Sequence, residues 1–200
     1  MKNKLILKKS FILENRDIHL SFNHYFKRSE ISSNYKIVYL KDYAEFKRGQ
    51  TITRKQVTSG NIPVVAGGKE PSCFHNKSNR DKNMITISSS GANAGYVNFY
   101  NSEIFAADCF TIKANEDYLL QNFLFHIIKS RQKEVYEMHS GSGQPHVYIK
   151  HFDNFKIPLP TLDEQYQILK KIDFIFEKIE LNKKKNKLLL ENVNTLIGGI

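Results

Sequence analysis

A heptad repeat at the C-terminal end constrains this 200-residue chain more than any other stretch. Ile168, Ile172, Ile175, Ile179, Asn182, Asn186, Leu189, Val193, Leu196 and Ile200 follow one another in steps of four and three without a break. That spacing is the a/d seam of a coiled coil, narrower than the stripe of a helix lying on a globular core. Pro160 bars an earlier start. Thr161 and Glu164 have capping-box spacing, and Gly198-Gly199 supply a stop. A helix over 161–197 is about 54 Å long at ~1.5 Å per residue. Its apolar edge needs a second helix to cover it. Asn182 and Asn186, among Lys183, Lys184, Lys185 and Lys187, place polar layers in mid-seam. Such layers weaken pairing but fix register. Two amphipathic segments around a solvated waist are the other reading, and the unbroken period favours a continuous seam.

The remaining chain is long enough for one ordinary domain with a real core. Three regions are expected: an arm or short irregular segment over 1–34, a globule over 35–160, and the long helix over 161–200. The net charge of +10 suits a polyanionic partner, although a Lys/Asn-rich codon bias produces the same excess. Cys73 and Cys109 lack Cys-x-x-Cys spacing, so a reducing, cytoplasmic setting is the expectation. The apolar run in MKNKLILKKSFILENRD is too short and interrupted for a signal peptide or membrane span.

Within the globule, KIVYL (36–40), IPVVAGG (62–68) and FKIPLP (155–160) read as strands. MITISSSGANAGYVNFY (84–100) reads as two strands around the loop Ser88–Gly95, and IFAADCFTI (104–112) as one more. DYAEFKRGQT (42–51) is expected to form a short helix closed by Gly49. Residues 117–138 bring Leu120, Phe123, Leu124, Ile127 and Ile128 to one helical face. Short strands with one embedded helix predict an α+β domain.

Catalytic signatures are missing. Neither G-x-G-x-x-G nor G-x-x-x-x-G-K-[ST] occurs, and SSSGANAG lacks the spacing of a nucleophile elbow. Cys73, His75, Cys109 and His126 lack the paired spacing of a metal site, and Cys109 reads as a small core residue. No cofactor is expected on this chain.

Binding has more support. Between Lys41 and Lys82 nine Lys/Arg stand against four acids, interleaved with Asn, Ser, Thr and Gln. Four loops could meet nucleic acid: Arg54–Gly60, Lys69–Lys82, Ser88–Asn93 and Ser140–His146. Their side chains able to reach phosphates or base edges are Arg54, Lys55, Lys69, Ser72, His75, Asn76, Lys77, Asn79, Arg80, Lys82, Ser89, Ser90, Asn93, Ser142, Gln144 and His146. Composition alone fits solvated surface loops equally well.

LKDYAEFKRGQT, GNIPVVAGGKEP, ISSSGANAGYVNFY, IFAADCFTI, GSGQPHVYIKHFDNFKIPLPTLDEQYQIL and the heptad helix carry a resemblance that covers about Tyr35 to Ile197. The chain resembles the specificity subunit of type I restriction–modification enzymes, as one target-recognition domain with its spacer helix. The resemblance implies a non-catalytic DNA-binding subunit that reads one half of a bipartite double-stranded target. It would dock an N6-adenine methyltransferase subunit and, through it, a restriction/translocase subunit. S-adenosylmethionine, Mg2+ and ATP would act on those partners only. The methylase tetrapeptide Asn/Asp-Pro-Pro-aromatic does not occur. Members commonly carry two recognition domains and two antiparallel helices, so a homodimer through the heptad helix is expected, with a palindromic interrupted target. NRDIHLSFNHYF is also similar to the lead-in of fused restriction–methylation polypeptides. A C-terminal module of such a type II enzyme, or a coiled-coil protein adaptor, are the alternatives.

Overall fold

The computed structural model describes residues 35–139 and 143–198. The expected 1–34 arm, Ser142, Ile200 and the side chain of Leu196 lie outside the described residues. In chain order the strands are β1 (Lys36–Tyr39), β2 (Ala44–Arg48), β3 (Ile62–Val65), β4 (Cys73–His75), β5 (Met84–Ser88), β6 (Val97–Tyr100), β7 (Phe105–Ala106), β8 (Cys109–Ala114) and β9 (Lys156–Leu159). The helices are α1 (Gln121–Ser130), α2 (Gln132–Glu137) and α3 (Leu162–Gly198). The fold is α+β, and no described helix is long and apolar enough to cross a membrane.

Three layers form the globule. An antiparallel sheet in the order β2-β8-β5-β6 occupies the middle. Every residue of β5 is buried, because both faces are covered. Ile85 and Ile87, with Phe110 and Ile112 of β8, pack against Phe123, Leu124, Ile127 and Ile128 of α1. On the opposite face, Met84 and Cys109 pack with Ile104 and with Val65 and Ala106 of a smaller sheet, β4-β3-β7. A third, two-stranded sheet pairs β1 with β9, Val38 opposite Ile157, and so ties the two ends of the globule together.

DYAEFKRGQT is a strand, not a helix. Five residues satisfy either period, and tertiary contacts decide the outcome. Phe46 turns inward onto Phe110 and Phe152, at ring separations of 6.4 and 5.7 Å, while Glu45 and Lys47 face water. Gly49 is there for closeness. A Cβ would lie 2.1 Å from the Ala107 carbonyl oxygen, where the Gly49 N–H donates to Cys109 O at 2.8 Å. The stretch 104–112 is likewise two strands, since the chain crosses between sheets at Ala107-Asp108.

The helix expected over 117–138 begins at Gln121 and breaks at Arg131, which leaves helical geometry (φ −103°, ψ 25°). There its guanidinium lies 3.7 Å from the centroid of the Phe155 ring, pairs with Glu134 and donates to the Lys156 carbonyl at 2.6 Å. The capping box of α3 forms as expected. Thr161 N–H donates to the Glu164 carboxylate at 2.8 Å, and Glu164 N–H donates to Thr161 Oγ1 at 3.4 Å.

The start of the heptad seam is used differently from expectation. Ile172 is buried in the chain's own structure, and Ile168 and Leu169 pack against the globular core. These residues need no second molecule to cover them. Beyond them Ile175 and Ile179 are half-buried, and Leu188, Leu189, Leu190, Val193 and Ile197 stand exposed.

Candidate nucleic-acid interface

Of the fifteen described residues proposed for DNA contact, two are buried: Arg80 and His75. Arg80 reaches under the central sheet. It donates from Nε to Thr111 Oγ1 (2.8 Å), from Nη1 to Asn79 O (2.6 Å) and from Nη2 to Arg48 O (2.6 Å). Burial lowers its pKa, opposed by Cys109 and Glu45, yet a guanidinium keeps its proton. A buried cation satisfied by carbonyls and a hydroxyl is a strut, unavailable to a phosphate. His75 accepts the Thr58 N–H at Nδ1 (3.0 Å) and meets the edge of Phe105. That ring holds the Arg54–Gly60 loop against β4.

Asn79, half-buried, is committed as well. Its Oδ1 accepts from Ala106 N (2.7 Å) and its Nδ2 donates to Ala106 O (3.0 Å), so the side-chain amide completes the end of β7 as a peptide would. Gln121 does the same for β8, bonding Ala114 N (2.7 Å) and Ile112 O (2.9 Å). Gln132 does it for the 95–97 segment, bonding Val97 N (2.9 Å) and Gly95 O (2.8 Å). Amides that read as base-edge donors in a sequence are equally good backbone mimics.

What remains at the surface is mostly basic. Arg54 and Lys55 lie on an exposed 3-10 turn, closed by reciprocal bonding of Thr53 and Gln56. Lys69, Ser72, Asn76, Lys77, Lys82 and Gln144 are exposed, whereas Ser89, Ser90, Asn93 and His146 are half-buried. The loops are bonded to one another. Ser90 Oγ donates to the Asp108 carboxylate, Gly91 N–H to Pro145 O (3.1 Å) and Val147 N–H to Ser89 O (3.0 Å). Ser90 and His146 form an isolated bridge, so the glycine-rich loop and the 143–147 segment are joined side by side.

A basic neighbour of Lys69 that sequence reasoning missed is Lys129. Lys129 Nζ sits 4.3 Å from the Tyr96 ring centroid and Lys69 Nζ 5.7 Å from it. Burial, then the neighbouring Lys69 charge, lowers the Lys129 pKa to about 8. Nothing in FHIIKS signals this, because the pairing spans distant segments.

The site offers donors for phosphates and base edges. Burial pushes the Cys109 thiol up to about 12, which removes it as a nucleophile. Among the described residues, no group of three or more His, Cys, Asp or Glu could hold a metal ion.

The type I restriction modification DNA specificity domain family matches residues 32–191, four-fifths of the chain. The chain belongs to that family. Over 122 residues it is 30% identical to the type I restriction enzyme MjaVIII specificity subunit of Methanocaldococcus jannaschii, a match covering 58% of this chain and 29% of that protein. Its fold is similar to the type I restriction–modification S subunit of M. genitalium: TM-score 0.65, 22% identity, covering 74% of this chain and 40% of that one. It is also similar to the HsdS subunit of Thermoanaerobacter tengcongensis: TM-score 0.63, 17% identity, covering 89% of this chain and 46% of that one. This specificity-family chain therefore spans less than half the length of these relatives.

Proposed function

We propose that the chain reads one half of a bipartite double-stranded DNA target for a type I restriction–modification system, and performs no catalysis itself. The observation that carries this is the family match over a globule whose mutually bonded loops present Arg54, Lys55, Lys69, Lys77 and Gln144 to solvent. Lysine and arginine supply affinity through phosphates, which falls with salt. Loop donors discriminate bases, each good bidentate contact contributing about 1–3 kcal/mol. An N6-adenine methyltransferase subunit docks alongside and brings the restriction/translocase subunit. S-adenosylmethionine, Mg2+ and ATP act on those partners.

The distal part of α3 pairs with the same segment of a second copy. Identical seams are self-complementary under two-fold symmetry, and the exposed leucines on this segment need covering. The paired rods hold two globules at a set separation, which must match a duplex repeat of about 34 Å per turn.

Co-expression with the methyltransferase, followed by mapping of methylated adenines, tests the reading. The expected result is one interrupted motif, with gel shifts that prefer it. Equal affinity of the assembled complex for every duplex removes the proposal.

A further inference from the structure

Phe74 lies on β4, an edge strand, with 55% of its surface exposed. Its neighbours in the chain are pinned. His75 points inward and holds Thr58, and the Ser72 N–H donates to Val64 O at 2.9 Å. Gly60 packs so closely that a Cβ would lie 2.4 Å from the His75 carbonyl oxygen. The ring is therefore held in water by a rigid strand, not by a loose loop. Directly across the ladder stands Pro63, so the two residues share a face of the β4-β3-β7 sheet at its β4 edge.

Charge around the ring selects its partner. Lys69 and Lys77 flank β4 in sequence, and Arg54 and Lys55 precede the Thr58 contact; all four are exposed. The acids of the same stretch are Glu70 and Asp81, also exposed. An exposed apolar ring in a stretch whose exposed charges are mainly cationic fits a polyanion with apolar features between its charges. The thymine 5-methyl is the apolar group on the floor of the major groove, within reach of a side chain held out from the sheet's β4 edge.

We propose that Phe74 is a base-reading residue whose ring contacts a thymine methyl in the recognised half-site. The proposal rests on the DNA-reading function above and adds the residue and the base chemistry. Lys69 and Lys77 then position the β4 edge through phosphates and carry no sequence information of their own. Composition and spacing single out only polar side chains in this loop, because exposure of a phenylalanine is invisible in a sequence.

The test uses the full chain assembled with its methyltransferase and the duplex found by methylation mapping. Each thymine of the half-site is replaced singly by uracil, which deletes the methyl and keeps the pairing. Wild type should lose about five- to tenfold in affinity at one thymine. Phe74→Ala should lose a similar factor on the native duplex, show no further loss with that uracil, and keep the wild-type salt slope. Phe74→Leu should retain most of the sensitivity. Lys77→Ala should weaken binding to all sequences and flatten the salt slope by about one.

Wild type that prefers the target but ignores every uracil overturns the Phe74 assignment alone. So does Phe74→Ala that binds and discriminates as wild type does, with a melting curve showing it folded. Loss of methyltransferase co-purification in Phe74→Ala with base discrimination intact overturns it too, and marks a protein contact. Wild type without any sequence preference instead removes the DNA-reading function itself.

Discussion

The two halves of α3 are covalently one helix and physically two objects. The root, up to about Phe176, is part of the globule. Gln165 is fully buried there: its Oε1 accepts from Leu120 N (2.8 Å), and its Nε2 donates to Tyr118 O (2.8 Å) and Pro160 O (2.9 Å). Ile172 is packed, and Phe176 meets the His126 ring of α1 at 6.1 Å. The distal half shows none of this coverage among its described side chains. From Glu180 onward every one is exposed; surface ion pairs such as Lys183–Glu180 at 2.6 Å contribute little, and Thr195 Oγ1 donates back to Glu191 O at 2.9 Å within the helix itself. One heptad register thus serves two masters. Its first turns complete a core, and its later turns leave their apolar side chains exposed.

The sharpest way to break this contrast is to place charge on the distal seam. Leu189→Asp with Val193→Asp buries four carboxylates in a paired rod. Association should weaken by at least about 5 kcal/mol, given roughly 1–3 kcal/mol for each leucine or valine burial lost and more for each carboxylate desolvated. Light scattering should report a monomer, while the globule's thermal transition persists. An unchanged mass contradicts pairing through this seam.

At the root the opposite pattern is expected. Gln165→Ala orphans one N–H and two carbonyls in a closed site, at a cost of about 2–4 kcal/mol of folding stability. Urea unfolding measures it, and association at concentrations where the chain stays folded should survive. A variant that unfolds normally but fails to associate would reverse the roles assigned to the two halves.

Smaller still is the effect of the polar layers. Asn182→Leu with Asn186→Ile should tighten pairing by roughly 1–2 kcal/mol and loosen register. Disulfide trapping of neighbouring distal positions reads out register. A single trapped pair in the double variant would show that the asparagines do not set it.

The least effect is a pH dependence confined to the root. Burial between α1 and α3 lowers the His126 pKa, with Asp173 partly opposing. The unfolded chain therefore takes up this proton at higher pH than the folded one. Stability from His126 is complete above the ordinary histidine value near 6.5 and falls as pH drops below it. Stability curves of wild type and His126→Phe should diverge only on that acid side, and parallel curves would remove His126 from the account.

Long-period features were legible in the sequence because their physics is local. The capping box at Thr161 and Glu164, the strands at 36–39, 62–65 and 84–88, and the unbroken helix all follow from spacing along one element. Short elements were not legible. The alternation in AEFKR around Phe46 is too brief to choose a period, and Ala107-Asp108 carries no mark of a change of sheet. The proposed contact surface was legible only as an excess of cations. Arg80 and Arg54 are equivalent in a sequence, and only the folded chain puts one under Thr111 and the other in water.

By itself, then, the order of residues determined an α+β globule of short strands, a long helical stem with a/d spacing, and a basic set of loops. Tertiary structure decided which members of each set are spent. It gave Ile168 and Ile172 to the globule, committed Arg80, His75, Asn79 and three glutamines to backbone groups, and left Phe74 facing solvent. The physical reason is common to all of them. Periodicity and charge are properties of a segment, whereas burial depends on which distant segments arrive against it.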